Sequence, residues 1–300
     1  MKLNFWRIVF VLSFILGSLG CTAFRQPVVQ DSVIQPKIAL VLGGGAARGF
    51  AHVGVIRVLE QEKIPIDLIV GTSVGSLIGA IYADTRSSFD LEFTAFKIVK
   101  EDIFDFSVFS STTGPVKGDR LEDFVQRKIT KKNIEELGIP FVAVATNLNM
   151  GRQVVLDKGS IAKAVRASSA IPGVFSPVIY QNMTLVDGGV LNNVPVDVAR
   201  AKGVDLVIAV NIGRDVINWN VTNIVDVTLQ AVNIMSNEIS SFKMRDADVL
   251  IEPNVGTVGM MDFTQKEYCI RAGIEAAEKA LPEIIKKIDQ WSAQKQNAQK

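Results

Sequence analysis

Ser73, in Gly71-Thr72-Ser73-Val74-Gly75, is the side chain whose type and setting best suit it to do chemistry. A serine hydroxyl is a poor nucleophile until something holds it and takes its proton. An apolar run, Ile66 to Val70, precedes this stretch, and a helix-like run, Ser76 to Ala83, follows it. Strand, Gly-x-Ser-x-Gly, helix is the pattern of a nucleophile elbow. A side chain at Gly71 or Gly75 would collide with the neighbouring strand or helix in so sharp a turn. The following helix also directs free N–H groups and its positive dipole end at the serine. The same five residues fit a glycine-rich turn with an incidental serine, so the rest of the chain has to decide.

A serine nucleophile needs a base. The chain has one histidine, His52, and it precedes Ser73. The hydrolase order Ser, acid, His is therefore excluded by inventory. A lone histidine in an apolar helix is expected to be packed and hydrogen-bonded. A carboxylate must then serve, and Asp187, in Asp187-Gly188-Gly189 at the end of the apolar run Thr184-Leu185-Val186, is the best placed. That tripeptide also fits an ordinary Asp-Gly turn. With an unperturbed pKa of ~3.9, an aspartate is a weak base at neutral pH. A Ser73–Asp187 dyad thus depends on direct contact, partial burial and strong stabilisation of the oxyanion.

The loop Gly43-Gly44-Gly45-Ala46-Ala47-Arg48-Gly49 lies between a strand-like run and a helix-like run. Such a loop presents successive backbone N–H groups. A dinucleotide site requires Gly-x-Gly-x-x-Gly and an acid ending the second strand. Here Arg48 or Ala46 breaks the glycine pattern, and the second strand ends in Val70-Gly71. A P-loop requires Gly-Lys-Ser/Thr, which is missing. An oxyanion hole formed by the N–H groups of Gly44, Gly45 and Ala46 serves both glycine clusters with one function.

Taken in order, Gly43 to Gly49 with Phe50-Ala51-His52-Val53-Gly54-Val55, then Gly71 to Gly75, then Asp187-Gly188-Gly189, resemble the bacterial patatin-like phospholipase family. The stretch Ala167-Ser168-Ser169-Ala170-Ile171-Pro172-Gly173-Val174-Phe175 is also typical, and the likeness runs from about Lys37 to Asn211. The resemblance implies a three-layer α/β/α fold with a mainly parallel sheet, a catalytic pair at Ser73 and Asp187, and an oxyanion loop at Gly44 to Ala46. It implies hydrolysis of lipid acyl esters without metal or cofactor, with a lipid substrate and a membrane surface as partners. Ala46 departs from the family's glycine pattern. Its N–H is kept, but its methyl group tightens the loop if φ is unusual there. Arg48 matches a basic position and would support the loop or meet an anionic headgroup, or form a surface salt bridge. A binding or scaffolding lipoprotein on the same fold, with catalysis lost, is the alternative.

These residues need a scaffold, and the chain spells one out. Lys37 to Leu42, Ile66 to Val70, Pro140 to Thr146 and Val204 to Asn211 read as strands, and the near-continuous apolar runs suit strands buried on both faces. Strand, helix, strand at the start implies a right-handed crossover in a parallel sheet. Helices are expected at Phe50 to Glu62, Ser87 to Lys100, Asp119 to Ile129, Ser160 to Ser168, Pro195 to Lys202, Ile224 to Met244, Thr264 to Ala280 and from Pro282 to Trp291. Pro177 to Val186 reads as a hairpin about Gln181-Asn182. One α/β domain over residues 37–291 is expected, with a flexible tail at 292–300. Phe104, Phe106 and Phe109, in a loop-like stretch, would line a lipid entrance or plug a core edge.

Lys plus Arg total 32 and Asp plus Glu 31 in 300 residues, so no net field favours nucleic acid. Nor does the glycine loop suit a nucleotide. Hydrophobic residues make up 48% of the chain, ample for a large core. The N-terminus reads as a signal peptide over residues 1–21: Lys2 and Arg7, then an apolar run from Ile8 to Leu19, short of the roughly 20 residues of a membrane span. Gly17-Ser18-Leu19-Gly20-Cys21 resembles a bacterial lipobox, although Ser18 stands where that motif prefers Leu. Cys21 would then be acylated, residues 22–36 would form a polar tether, and Thr22 leans toward the outer membrane of the cell envelope. Cys269, the only other cysteine, is expected to be a buried small apolar residue. Oligomeric state, headgroup and acyl-chain preference are left open.

Overall fold

A computed structural model describes residues 35–105, 116–213, 222 and 224–298. The expected signal peptide, Cys21, nearly all of the tether, Phe106 and Phe109 lie outside the described residues. In chain order the main elements are β1 (Ile38–Leu42), α1 (Phe50–Gln61), β2 (Leu68–Thr72), α2 (Val74–Thr85), α3 (Ser88–Lys97) and α4 (Lys100–Ile103). There follow α5 (Asp119–Lys128), β3 (Phe141–Asn147), β4 (Arg152–Leu156), α6 (Ile161–Ser168), β5 (Val178–Tyr180) and β6 (Met183–Asp187). The chain ends with α7 (Val196–Ala201), β7 (Leu206–Val210), α8 (Ile224–Lys243), β8 (Val249–Ile251) and α9 (Lys266–Ala298).

The strands form one mixed sheet in the order β5-β6-β3-β2-β1-β7-β8, with β4 also paired to β3. Neighbours from β3 through β2, β1 and β7 to β8 are parallel, whereas β4, β5 and β6 join by antiparallel pairing. Side chains alternate across each strand, and the two faces differ in size. Ile38, Leu40, Leu42, Ile208 and Val210 point into one core with Phe50, Ile56, Leu59, Leu77 and Phe124. Ala39, Val41, Val207 and Ala209 point into the other, which Val196, Val198 and Ala199 of α7 cover. The bulky face thus carries the thick helical layer and the small face the thin one. Gln181 and Asn182, with φ of 49° and 60°, make the expected two-residue hairpin turn between β5 and β6.

The helix expected over Ser87 to Lys100 ends at Lys97, with a short second helix from Lys100, and two boundaries near the C-terminus also differ from the sequence expectation. Pro282 does not start a new helix but lies within α9. Proline removes one N–H from the helical ladder, yet Ile270, Gly273, Ala277 and Ile284 stay buried along one side and carry the helix across. The expected tail from residue 292 is likewise helical to Ala298, since Ala, Gln and Lys are good helix formers. α9 crosses α1 at backbone contact. A Cβ on Gly54 would stand 2.1 Å from the Ile270 carbonyl oxygen, and one on Gly273 2.0 Å from that of Ala51.

β1 and β2 are adjacent and parallel, with Leu42 in register with Gly71. The glycine loop and the Ser73 turn therefore leave the same edge of the sheet. Thr72 pairs with Val144 and Ala145 with Asp187, which puts Ser73 and Asp187 on one row across β3.

Candidate active site

Ser73 sits between β2 and α2 with φ 54° and ψ −126°, a conformation that costs a non-glycine residue about 1–3 kcal/mol. Its neighbours hold it there. The Ser73 N–H donates to Ser168 Oγ at 2.9 Å, and Ser168 Oγ donates to the Val144 carbonyl at 2.6 Å. The Ser73 carbonyl accepts from Ser76 N–H at 2.9 Å and from Ser76 Oγ at 2.6 Å. The turn is too tight for side chains at the flanking glycines. A Cβ on Gly71 would lie 2.5 Å from the Gly75 carbonyl oxygen, and one on Gly75 2.1 Å from that of Leu42.

Asp187 ends β6 and caps the turn Gly188–Val190, accepting the Gly189 N–H at 2.7 Å. Its carboxylate faces the same space as the Ser73 side chain, whose hydroxyl favours the ionised form. Burial raises the Asp187 pKa to about 6, against the pull of Ser73 and of the Gly189 N–H. The aspartate is therefore a stronger base than the unperturbed ~3.9 allows, and it is still ionised at neutral pH.

In the glycine loop four N–H groups are committed to structure. Gly43 N–H donates to Val210 at 3.0 Å, Ala47 N–H to Met260 at 3.1 Å and Arg48 N–H to Gly45 at 3.2 Å. Gly44 N–H donates to the Asn193 carbonyl at 3.2 Å. This corrects the expectation that Gly44 contributes a free donor alongside Gly45 and Ala46. Among the described residues, the N–H groups of Gly45 and Ala46 have no protein acceptor. Both residues line the space that Ser73 and Asp187 share. Ala46 takes φ 51°, where a methyl group is strained, so the condition under which its methyl group tightens the loop is met.

His52 is fully buried in α1, and its Nε2 donates to the Gly43 carbonyl at 2.8 Å. Burial lowers its pKa to about 4, so it is neutral and tied to the loop. Arg48 is buried and lines the polar side of the site, so it does not lie on the open surface. Cys269 is buried and free, and burial pushes its thiol up to about 11.

Two chambers meet at Ser73, Ala46 and Ile171. One is walled by Phe50, Leu77, Ile78, Ile103, Phe104 and Phe175 and is almost wholly apolar. Phe104, expected at a core edge or a lipid entrance, is buried in this wall, with its ring 5.3 Å from Phe175 and 6.2 Å from Phe263. The other contains Asp187 and is walled by Arg48, Asn193, Asn233, Ser236 and Asn237. Sequence reasoning missed Ser168 as a support of the turn and missed Asn193 altogether. Ser168 lay in a stretch already noted, but its partner is known only once the chain folds.

A family model described as patatin-like phospholipase matches residues 40–200. Patatin-like phospholipase domain-containing protein 6 of Homo sapiens is 38% identical over 184 residues, covering 59% of this chain and 13% of that protein. Lysophospholipase NTE1 of Scheffersomyces stipitis is 27% identical over 274 residues, covering 81% of this chain and 18% of that one. The chain thus spans less than a fifth of the length of these curated relatives. Among solved structures, VipD from Legionella pneumophila superposes with a TM-score of 0.56 at 14% identity, over 83% of this chain and 67% of that chain, which is a likeness of fold.

Proposed function

We propose that this chain, which belongs to the patatin-like phospholipase family, is a serine hydrolase of lipid acyl esters, acting through Ser73 and Asp187. The observation that carries the reading is the buried Asp187 facing the same space as Ser73, which itself stands at the junction of an apolar and a polar chamber. Asp187 accepts the Ser73 proton as Oγ attacks the ester carbonyl. The N–H groups of Gly45 and Ala46 receive the oxyanion, a contribution typically of a few kcal/mol. Asp187 then gives the proton to the departing alcohol as the C–O bond breaks. Water next attacks the acyl-serine, losing its proton to Asp187, and Ser73 is regenerated with release of the fatty acid.

One apolar chamber suits one acyl chain, and one polar chamber suits a hydrophilic leaving alcohol. A lysophospholipid has that division, and the lysophospholipase name of the yeast relative agrees with it. Arg48, in the polar wall, is suited to set the loop or to balance a phosphate. Access from a lipid surface is supported by α8. Leu229, Val232, Asn233 and Ser236 face the polar chamber, while Ile224, Val227, Ile234, Met235 and Phe242 lie exposed on the opposite side of the same helix. Among the described residues no helix is long and apolar enough to cross a membrane. Attachment through acylated Cys21, on a bacterial envelope membrane, is the companion proposal and rests on the sequence alone; loss of the protein from the membrane fraction in Cys21→Ala tests it.

Labelling by a fluorophosphonate probe tests the enzyme reading. Labelling at Ser73, abolished in Ser73→Ala, is expected together with release of fatty acid from lysophosphatidylcholine. A folded wild-type protein that neither labels nor hydrolyses would leave a non-catalytic lipid-binding role.

A further inference from the structure

Asn193 has no part in the proton transfers, yet it touches both halves of the site. Its backbone carbonyl accepts the Gly44 N–H at 3.2 Å, and its side-chain Nδ2 donates to the Gly44 carbonyl at 3.2 Å. Both polar groups of Gly44 are therefore held by one residue. In a trans peptide the C=O and the next N–H point in opposite directions. With the Gly44 carbonyl drawn toward Asn193, the Gly45 N–H is turned the other way, and Gly45 is one of the two loop residues whose N–H lacks an acceptor among the described residues. The preceding peptide is fixed in the same manner, since the Gly43 carbonyl is held by His52 Nε2 at 2.8 Å. The Asn193 amide also fills the space between the two loops. Its Oδ1 stands 2.5 Å from where a Cβ on Gly44 would lie and 2.9 Å from where one on Gly189 would lie. Gly189 is the residue whose N–H binds Asp187.

We infer that Asn193 is a positioning residue that sets the direction of the Gly45 N–H, and so the strength of the oxyanion site, while keeping that site at a fixed distance from Asp187. The inference rests on the hydrolase reading above. It differs from a role in general packing because the side-chain bond acts on one carbonyl, and the shape of the side chain alone does not replace it. Asn193→Asp keeps the shape, loses the donor and sets a carboxylate against the Gly44 carbonyl. Asn193→Ala loses the donor and the wedge together.

The test uses the full chain with p-nitrophenyl butyrate, active sites being counted by fluorophosphonate titration. The expected result is a fall in kcat of about 10²-fold for Asn193→Asp and at least tenfold for Asn193→Ala, with KM within threefold of wild type. Affinity for a trifluoromethyl ketone, which forms an oxyanion on Ser73, should fall in parallel with kcat. The acid limb of the Asn193→Ala pH profile should not move, because Asp187 is unaltered. If Asn193→Ala does not fold, Asn193→Asp alone carries the test. A kcat within threefold of wild type in the folded variants would overturn the inference. So would a loss explained by a shifted acid limb, which would place the effect on the base. Absence of hydrolysis by the wild-type protein would overturn both the hydrolase reading and this one, and is distinct from a loss confined to the variants.

Discussion

The two chambers that meet at Ser73 are built in different ways. The walls of the apolar chamber belong to the main core: Phe50 from α1, Leu77 and Ile78 from α2 and Phe175 after α6 are all part of the cluster that packs under the sheet. The polar chamber is walled by turns at strand ends and by one side of α8. A wall made of core side chains moves only at the cost of repacking, because interiors are close-packed. A wall made of loops and an amphipathic helix has fewer such restraints and can adapt to what it holds. The division suits a reaction in which the acyl half of the substrate is measured and the alcohol half is accommodated.

The sharpest break in this picture is Asp187→Asn, which removes the base shared by both half-reactions. Hydrolysis is expected to fall at least ~10³-fold, while far-UV circular dichroism stays unchanged. The same change should stabilise the fold at high pH. Burial holds the Asp187 pKa at about 6, above its value of 3.8 when free, so the folded state binds a proton more tightly than the unfolded one. Stability is therefore greatest below pH 4 and is lost as pH rises through about 6. Asparagine removes that loss, worth up to roughly 3 kcal/mol. Melting temperatures of wild type and variant should separate at pH 8 and converge near pH 4. In wild type, kcat/KM should rise with pH through an apparent pKa near 6 and then level, because the ionised aspartate is the active form. A limb near 4 would mean that Asp187 is better hydrated than its burial implies.

Changes in the chambers come next in size. Leu77→Phe should shorten the acyl chain that the apolar chamber accepts. Turnover of p-nitrophenyl palmitate, read as kcat/KM, is expected to drop by about 10- to 100-fold, with little change for the butyrate. Asn233→Leu, in the polar wall, should act on the leaving group, lowering turnover of lysophosphatidylcholine about tenfold relative to p-nitrophenyl butyrate. If both variants shift chain length alone, the assignment of the chambers is wrong. The smallest effect is expected from Ala46→Gly. It relieves the strain at φ 51°, about 1–2 kcal/mol, and offsets much of that through the greater freedom of glycine when unfolded. A rise of a degree or two in Tm, with kcat within twofold, is the expected outcome.

Much of the scaffold could be read from the chain because its signals are local. The strands announce themselves as apolar runs, the hairpin by Gln181-Asn182, and the two reactive turns by glycines that no other residue could replace at such close approach. The absence of a histidine after Ser73 pointed to Asp187 by inventory. What could not be read depends on partners brought together by folding. Nothing in Gly44 says that its N–H faces Asn193 and Gly45's does not. Asn193 carries no signal of its own until the loop from β6 meets the loop from β1. Pro282 reads as a helix start because local propensity is blind to the packing of Ile270, Ala277 and Ile284, which keeps α9 continuous.

The contact between α1 and α9 bears on where the chain can be cut. The family match ends at residue 200, but β7, whose Val210 carbonyl binds Gly43, lies beyond it. So does α9, whose backbone presses on α1 at Gly54 and Ala51. α1 in turn holds His52 against the glycine loop. A fragment trimmed to the recognisable motif would keep every reactive side chain and lose the mounting of the loop. The smallest autonomous unit is thus larger than its signature, and any shortened form of the chain should extend through the buried Ile284 of α9.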